Sequence, residues 1–445
     1  MELSPPGLAD RPDHGAAPWS PSSSAAARQL CDDFASRAFP GVAISPAAFQ
    51  GACSYTLCVG PDDVVQFRPP AHRIHLDTAA AAATVYGAFA PRTAYIGVVR
   101  VPATDKGVRR GDVAAADPHS NDMVLYAYHI SRIPGTALAD SRPRRPRQQA
   151  ADDRLVRDFA RLVARSWRCA LEPAAAAPLR GRVGASLGWR LELLRDGLPA
   201  RFEPVVLDVL AHLGDIEALP WAFTHGDLVP GNVMVAAAEP GQMRISGLID
   251  WAEAEYLPLG VGLYGLEEFL GESTEAPLSS GGQYPPPGST FAYFPTATGL
   301  RDAFWDELET QIPELRGGQN NHLRATVERA RVLGILLWHG IAFDGGRLDR
   351  VVAEGVDDAE IQRLDLFLID GAAAPGPDDE PIEDPNEAIL DDVIDEDDSA
   401  DPSPPSGAIV RPESVPPSNT RDPATDRRPS FSRRAWEYVR RLGKL

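Results

Sequence analysis

The hydrophobic pattern changes period once along this chain, and that change limits the fold more than any other feature. Up to residue 133 three short runs rich in β-branched and aromatic residues, 64–68, 95–101 and 123–133, read as strands. Another strand, 49–59, is broken at Gly51, Ala52 and Cys53. The turn Gly60-Pro61-Asp62-Asp63 joins it to 64–68 as an antiparallel hairpin. Two helices are expected among the strands. One, at 28–39, places Leu30, Phe34 and Ala38 on one face. The other, at 78–89, is Ala-rich and carries Gly87 near its end. After Pro134-Gly135 the period becomes 3.6. A helix opening at Asp152 or Asp153 lines up Leu155, Phe159, Leu162, Val163 and Ser166, and further helices follow at 202–213, 300–312 and 322–341. Two short β-like runs, 233–235 and 243–249, lie between them. The expected fold class is therefore α+β: an antiparallel β-rich N-lobe over 28–133 and a helical C-lobe over 134–370.

Composition narrows the function. The 445 residues carry a formal net charge of −20, which argues against a general nucleic-acid binder. Four cysteines without paired spacing point to a reducing compartment, and a cytoplasmic location is expected. The N-terminus has neither a basic start nor an apolar core, so it reads as no secretory signal. The longest apolar run, 332–338, is far short of the roughly 18 residues that span a bilayer. Both ends read as disordered: 1–27 is rich in Pro, Ser, Ala and Gly, and 371–402 holds 13 Asp/Glu and no Lys or Arg. A short basic helix at 431–442 could touch an anionic membrane surface or a protein partner, and the 372–445 tail is expected to be dispensable for chemistry. Lys106 and Lys444 are the only lysines among 43 basic residues, so chemistry needing a lysine has two candidates.

Chemistry concentrates in one segment, Phe223-Thr-His-Gly-Asp-Leu-Val-Pro-Gly-Asn232, followed by Gly247-Leu-Ile-Asp250-Trp251. The four specified residues of the first motif arise by chance in a chain this long about once in several hundred cases. The second motif, just after an expected strand, reinforces it. This is the residue set that phosphoryl transfer needs. An amide and a carboxylate, Asn232 and Asp250, can hold Mg²⁺ against nucleotide phosphates, and oxygen ligands suit Mg²⁺ rather than zinc. A second carboxylate, Asp227, can orient a hydroxyl and take its proton. Gly226 permits a tight loop, and Pro230-Gly231 presets its bend. His225 reads first as a histidine steadying that loop and second as a proton carrier. Trp251 reads as packing. Glu253 and Glu255 read as a solvated face, with contact to a cationic acceptor as the second reading.

His225-Gly226-Asp227 with Asn232, then Ile249-Asp250-Trp251, resembles the aminoglycoside phosphotransferase and choline kinase group. The resemblance runs from about residue 45 to 345. It implies a protein-kinase-like two-lobed fold, ATP (or GTP), Mg²⁺, and transfer of the γ-phosphoryl group to a hydroxyl of a small molecule. The segment 49–55, with Gly51 and Ser54, matches the group's nucleotide loop. The strand ending Val65-Gln66-Phe67-Arg68 matches its third strand, and 131–135 its hinge exit. If 123–133 forms the hinge, backbone groups around Tyr126 to Tyr128 would meet the nucleotide base. No Ala-Pro-Glu segment follows Asp250, so a peptide platform is not indicated. The sequence departs from the group in three places. No lysine lies on the third strand, which leaves Arg68 or Gln66 to grip phosphate; Arg68 is favoured because it binds bidentately. No Glu lies on the 78–89 helix, where Asp77 is the nearest acid. Leu257-Pro258-Leu259-Gly260 stands where the group has a second Asp. A non-catalytic nucleotide-binding scaffold is the alternative reading.

Overall fold

A computed structural model describes residues 24–48, 50, 54–102, 122–141, 149–239, 242–274, 289–316, 322–344 and 347–369. Gly51 with its neighbours Ala52 and Cys53, the polar stretch 103–121, residues 1–23 of the expected disordered N-terminal end, and 370–445 with the basic 431–442 segment lie outside the described residues.

The first helix, α1 (Ala25–Ala38), starts earlier than its hydrophobic period announces, inside the stretch read as disordered. The Ser24 hydroxyl accepts from the Ala27 N–H at 3.1 Å, supplying the N-cap that an early start requires. Ala27, Cys31 and Ala35 lie flat on one face of a five-stranded antiparallel sheet and are fully buried. Its strands are β1 (Ile44–Pro46), β2 (Tyr55–Val59), β3 (Asp63–Arg68), β4 (Thr93–Val101) and β5 (Met123–Ser131), in the order β1-β2-β3-β5-β4. The expected hairpin is β2–β3, with Thr56 opposite Gln66. Tyr55, Leu57, Val65, Phe67, Val99 and Leu125 face α1. The alternate residues Thr56, Gln66, Arg68, Tyr126 and Tyr128 therefore share the opposite face.

Between β3 and β4 runs α2 (Leu76–Tyr86), ended by Gly87 at φ +62°. That conformation costs glycine little and ends the α-helix, and a 3₁₀ turn, Gly87–Phe89, carries on to the expected 89. Its last residue reaches down: the Tyr86 hydroxyl donates to the Phe223 carbonyl at 2.7 Å.

The second half packs on one large core. In α3 (Gln149–Arg168), Leu155, Phe159 and Leu162 are buried as their spacing predicts. Asp152 and Asp153 do not cap this helix, which begins at Gln149; Asp153 instead pairs with Arg157 one turn on, at 2.9 Å. The helices α4 (Leu187–Gly197), α5 (Glu203–Ala211), α6 (Ala297–Gln311) and α7 (His322–His339) complete the frame. Strand pairing is more extensive here than the sequence announces. The short β6 (Thr136–Ala137) joins the hairpin of β8 (Val233–Glu239) and β9 (Gln242–Leu248), and β7 (Trp221–Thr224) pairs antiparallel with β10 (Glu255–Pro258). The departure at 257–260 has a packing role: Leu257 and Leu259 are buried, and Gly260 at φ +105° lies against helix α7. The arrangement is α+β, with an antiparallel sheet first and a helical body after it. Among the described residues, no helix is long and apolar enough to cross a membrane.

Candidate active site

Ile249 ties the motif together through its backbone. Its N–H donates to the Asn232 carbonyl at 3.0 Å, which extends the β8–β9 ladder by one step. Its carbonyl accepts from His225 Nε2 at 2.8 Å. The residues around Asp227, Asn232 and Asp250 thus converge on the backbone of one residue, Ile249. The loop from His225 to Asn232 is shaped by Gly226, at φ +78°. A Cβ there would lie 2.1 Å from the Glu253 carbonyl oxygen, so only glycine lets the two segments meet.

His225 is buried, and both ring nitrogens are engaged. Nε2 bonds Ile249, and Nδ1 accepts from the Asp227 N–H at 3.3 Å. Burial pushes its pKa down to about 4, so the ring is neutral. No nitrogen is left to shuttle a proton, and the geometry is that of a loop-steadying residue. Trp251 packs as expected. It is buried, donates to the Leu248 carbonyl at 2.9 Å, and stacks parallel to Phe223 with centroids 6.2 Å apart.

Asp227 and Asn232 touch. The Asn232 amide donates to the Asp227 carbonyl and to Asp227 Oδ2, both at 2.9 Å, which leaves the Asn232 Oδ1 oxygen as an acceptor. Burial first, and the Asp250 carboxylate second, raise the Asp227 pKa to about 7 against the opposing Asn232 hydrogen bond. A carboxylate poised near neutrality suits a proton acceptor. Asp250 has φ +59°, the left-handed conformation, and it is the non-glycine residue in that region among the described residues. Such strain persists where surrounding contacts over-determine it. Its side chain is 48% exposed, so its oxygens remain open.

Across from it stands Arg68, nearly buried, with Nη2 3.6 Å from Asp250 Oδ1. Gln66 holds that guanidinium: Gln66 Oε1 accepts from Arg68 Nε at 2.7 Å. The Gln66 amide then donates to the Ser54 and Thr56 hydroxyls, each at 3.2 Å. The two candidates on this strand therefore divide the work, Arg68 reaching the acidic site and Gln66 aiming it. Asp77 is exposed, and no α2 acid meets Arg68. Tyr128 lies on the same face, but the backbone of 126–128 pairs with β3 on one side and β4 on the other. That backbone has no free edge for a base, which corrects the expectation placed on it. The first backbone beyond the sheet follows Ser131.

Glu255 is not part of a solvated face. Its carboxylate accepts from the Val183 and Gly184 N–H groups at 2.9 and 2.8 Å, clamping the loop before α4. Sequence reasoning missed this role, because nothing in the spacing links residue 255 to 183.

The oxygen set fits a magnesium ion that shares its shell with phosphates: one amide oxygen, one open carboxylate and no nitrogen or sulfur donor. Among the described residues no cluster of three or more His, Cys, Asp or Glu side chains forms a self-sufficient metal cage. Substrate oxygens would complete the shell.

Residues 60–263 match the phosphotransferase enzyme family, APH. No curated protein matches the chain. Among solved structures, the GDP complex of aminoglycoside 2'-phosphotransferase-IIIa is 13% identical, covering 69% of this chain and 98% of that one with a TM-score of 0.38. The type VIII aminoglycoside-3'-phosphotransferase is 17% identical, covering 69% and 97% with a TM-score of 0.37. A glucosamine kinase complex with glucosamine, ADP and inorganic phosphate is 16% identical, covering 70% and 76% with a TM-score of 0.35. The matched residues 60–263 hold Gln66, Arg68, His225, Asp227, Asn232 and Asp250, and their similarity to the phosphotransferase enzyme family is the one the motifs implied.

Proposed function

We propose that this protein is an ATP- and Mg²⁺-dependent small-molecule kinase that moves the γ-phosphoryl group to an acceptor hydroxyl. One observation carries the reading: Asp227, Asn232 and Asp250 stand around the backbone of Ile249, with the nearly buried Arg68 reaching Asp250. Asn232 and Asp250 are the metal ligands, and bound Mg²⁺ supplies neutralisation of phosphate charge. Asp227 orients the acceptor hydroxyl and takes its proton. Arg68 binds the phosphates, turning from Asp250 toward them when nucleotide is present. Ser54 and Gln66 support that grip, as does Gly51 in the nucleotide loop. The nucleotide base lies near Tyr128 and is read by backbone after Ser131. GTP is accommodated by the same reading.

Uncoupled nucleotide hydrolysis tests it without knowledge of the acceptor, since water can take the acceptor's place. Phosphate release and nucleotide affinity are measured for the parent and for Asp250→Asn, with and without Mg²⁺. Asp250→Asn is expected to abolish release and weaken Mg-nucleotide binding. A parent that releases no phosphate above background and binds ATP equally well without Mg²⁺ is a scaffold instead.

A further inference from the structure

The peptide between Asp227 and Leu228 is held at both ends. Its carbonyl accepts from the Asn232 amide at 2.9 Å and from the Val229 N–H at 3.2 Å. Its N–H donates to the Tyr264 hydroxyl at 2.8 Å. That tyrosine stands in the 3₁₀ turn Val261–Leu266, which packs on α7. Its ring stacks on Trp338 of α7, with centroids 4.9 Å apart and planes 14° from parallel. Tyr264 and Leu228 are both buried. The next residue of the turn, Gly265, seats the Leu228 side chain: a Cβ there would fall 2.2 Å from Leu228 Cδ2. Packing alone does not fix the loop. A cavity of about 50 Å³ adjoins it, lined among others by Phe159, Leu162, Gly226, Leu228, Gly262 and Tyr264. Atoms around a void lose contacts on that side, so the hydrogen bonds at its two ends decide how this peptide lies.

The Asn232 amide donates to two oxygens of Asp227, the carbonyl and Oδ2. Both bonds form only while the 227–228 peptide and the Asp227 side chain keep one relative orientation. The Tyr264 bond opposes rotation of that peptide, since a buried N–H turned away from its acceptor is costly. We infer that Tyr264 is a positioning residue for Asp227: its hydroxyl fixes the 227–228 peptide and so aims the Asp227 carboxylate at the acceptor hydroxyl. Tyr264 acts through the loop and not on the substrates. This deepens the phosphotransferase reading and rests on it.

Tyr264→Phe keeps the ring on Trp338 and deletes only the acceptor. Single-turnover hydrolysis of Mg-ATP and the Mg-ATP Kd are measured in the full chain for the parent, Tyr264→Phe, Asp227→Asn and the double variant. Tyr264→Phe is expected to slow hydrolysis about ten-fold or more, as a misplaced reacting group does, with Kd within about two-fold of the parent. In the Asp227→Asn background it should cost nothing further, because changes that act through one group do not add. The unsatisfied N–H also lowers Tm, so Ile216→Val, a fully buried core change, is the stability control. It should melt below the parent and hydrolyse at the parent's rate. If Tyr264→Phe yields no folded protein, Trp338→Phe, which loosens the ring and keeps the hydroxyl, should show the same split of rate from affinity. The inference is overturned if Tyr264→Phe, or Trp338→Phe in its place, hydrolyses like the parent. It is equally overturned if the Tyr264→Phe loss adds in full to that of Asp227→Asn, if affinity falls in step with rate, or if the Ile216→Val control slows as much. The parent and Asp227→Asn, measured first, separate the readings. No hydrolysis, or hydrolysis indifferent to Asp227, sinks both; Asp227-dependent hydrolysis unmoved by Tyr264→Phe sinks this one alone.

Discussion

At the residue scale, Asp227 carries two opposed effects of burial. Its carboxyl keeps a proton to about pH 7 in the folded chain, but only to about pH 4 when unfolded. Between those values the folded state binds more protons, so stability falls as pH rises and the full penalty is present above pH 7. Asp227→Asn keeps an oxygen for the Asn232 amide and removes the charge. In chelator, the variant is expected to melt above the parent at pH 8, by on the order of a few kcal/mol, with the gap closing toward pH 4. The same variant is expected to lose about 10²–10⁴-fold in turnover while Mg-ATP binding stays nearly intact. Thermal melts across pH and single-turnover assays read both effects. Equal loss of nucleotide binding in Asp227→Asn and Asp250→Asn would void the division of roles. Arg68→Ala removes a charge-assisted contact worth roughly 1.5–3 kcal/mol and should raise the nucleotide Kd about ten-fold or more. Gln66→Ala only frees the guanidinium it aims, so a smaller rise is expected from isothermal titration.

Individual elements are held in place by backbone contacts that tolerate little added bulk. The Phe223 carbonyl accepts from both Tyr86 and Ser166, so β7 is fixed from α2 above and α3 beside it. The loop after β7 then turns at Gly226 against the Glu253 carbonyl. Gly226→Ala adds a methyl where 2.1 Å is available and forces a left-handed conformation. A loss of about 2 kcal/mol or more is expected, together with loss of turnover from displacement of Asp227. Urea unfolding and phosphate release measure the two. Gly231 sits in the same loop with nothing within 4 Å of its Cβ position, so Gly231→Ala is the control that should fold normally.

For the whole molecule, the sheet face bearing Gln66 and Arg68 meets the helical body at Asp250. Nucleotide bound to both should stabilise the chain by linkage. At 100 times Kd, Mg-ATP is expected to add about 2.7 kcal/mol, and ATP in chelator much less. A thermal shift that is equal with and without Mg²⁺ would contradict ligation by Asn232 and Asp250.

Short-range chemistry made much of this readable from the chain. The period switch near Pro134-Gly135, the β2–β3 hairpin and the Asp227, Asn232, Asp250 set are local patterns: side-chain alternation, a Gly-Pro-Asp-Asp turn and fixed motif spacing. The early start of α1 was also local, written in Ser24, but weak beside the Pro- and Ser-rich residues preceding it. Other features depended on residues far apart in sequence. Pairing of β3 and β4 on both edges of β5 removed the 126–128 backbone from any base. Burial turned Glu255 from a surface acid into a clamp on 183–184, and placed both nitrogens of His225 in hydrogen bonds. Spacing along the chain records which groups are present. Which of them are desolvated, paired or left with open donors depends on what folds against them, and hydrogen bonding and charge respond to that surrounding alone.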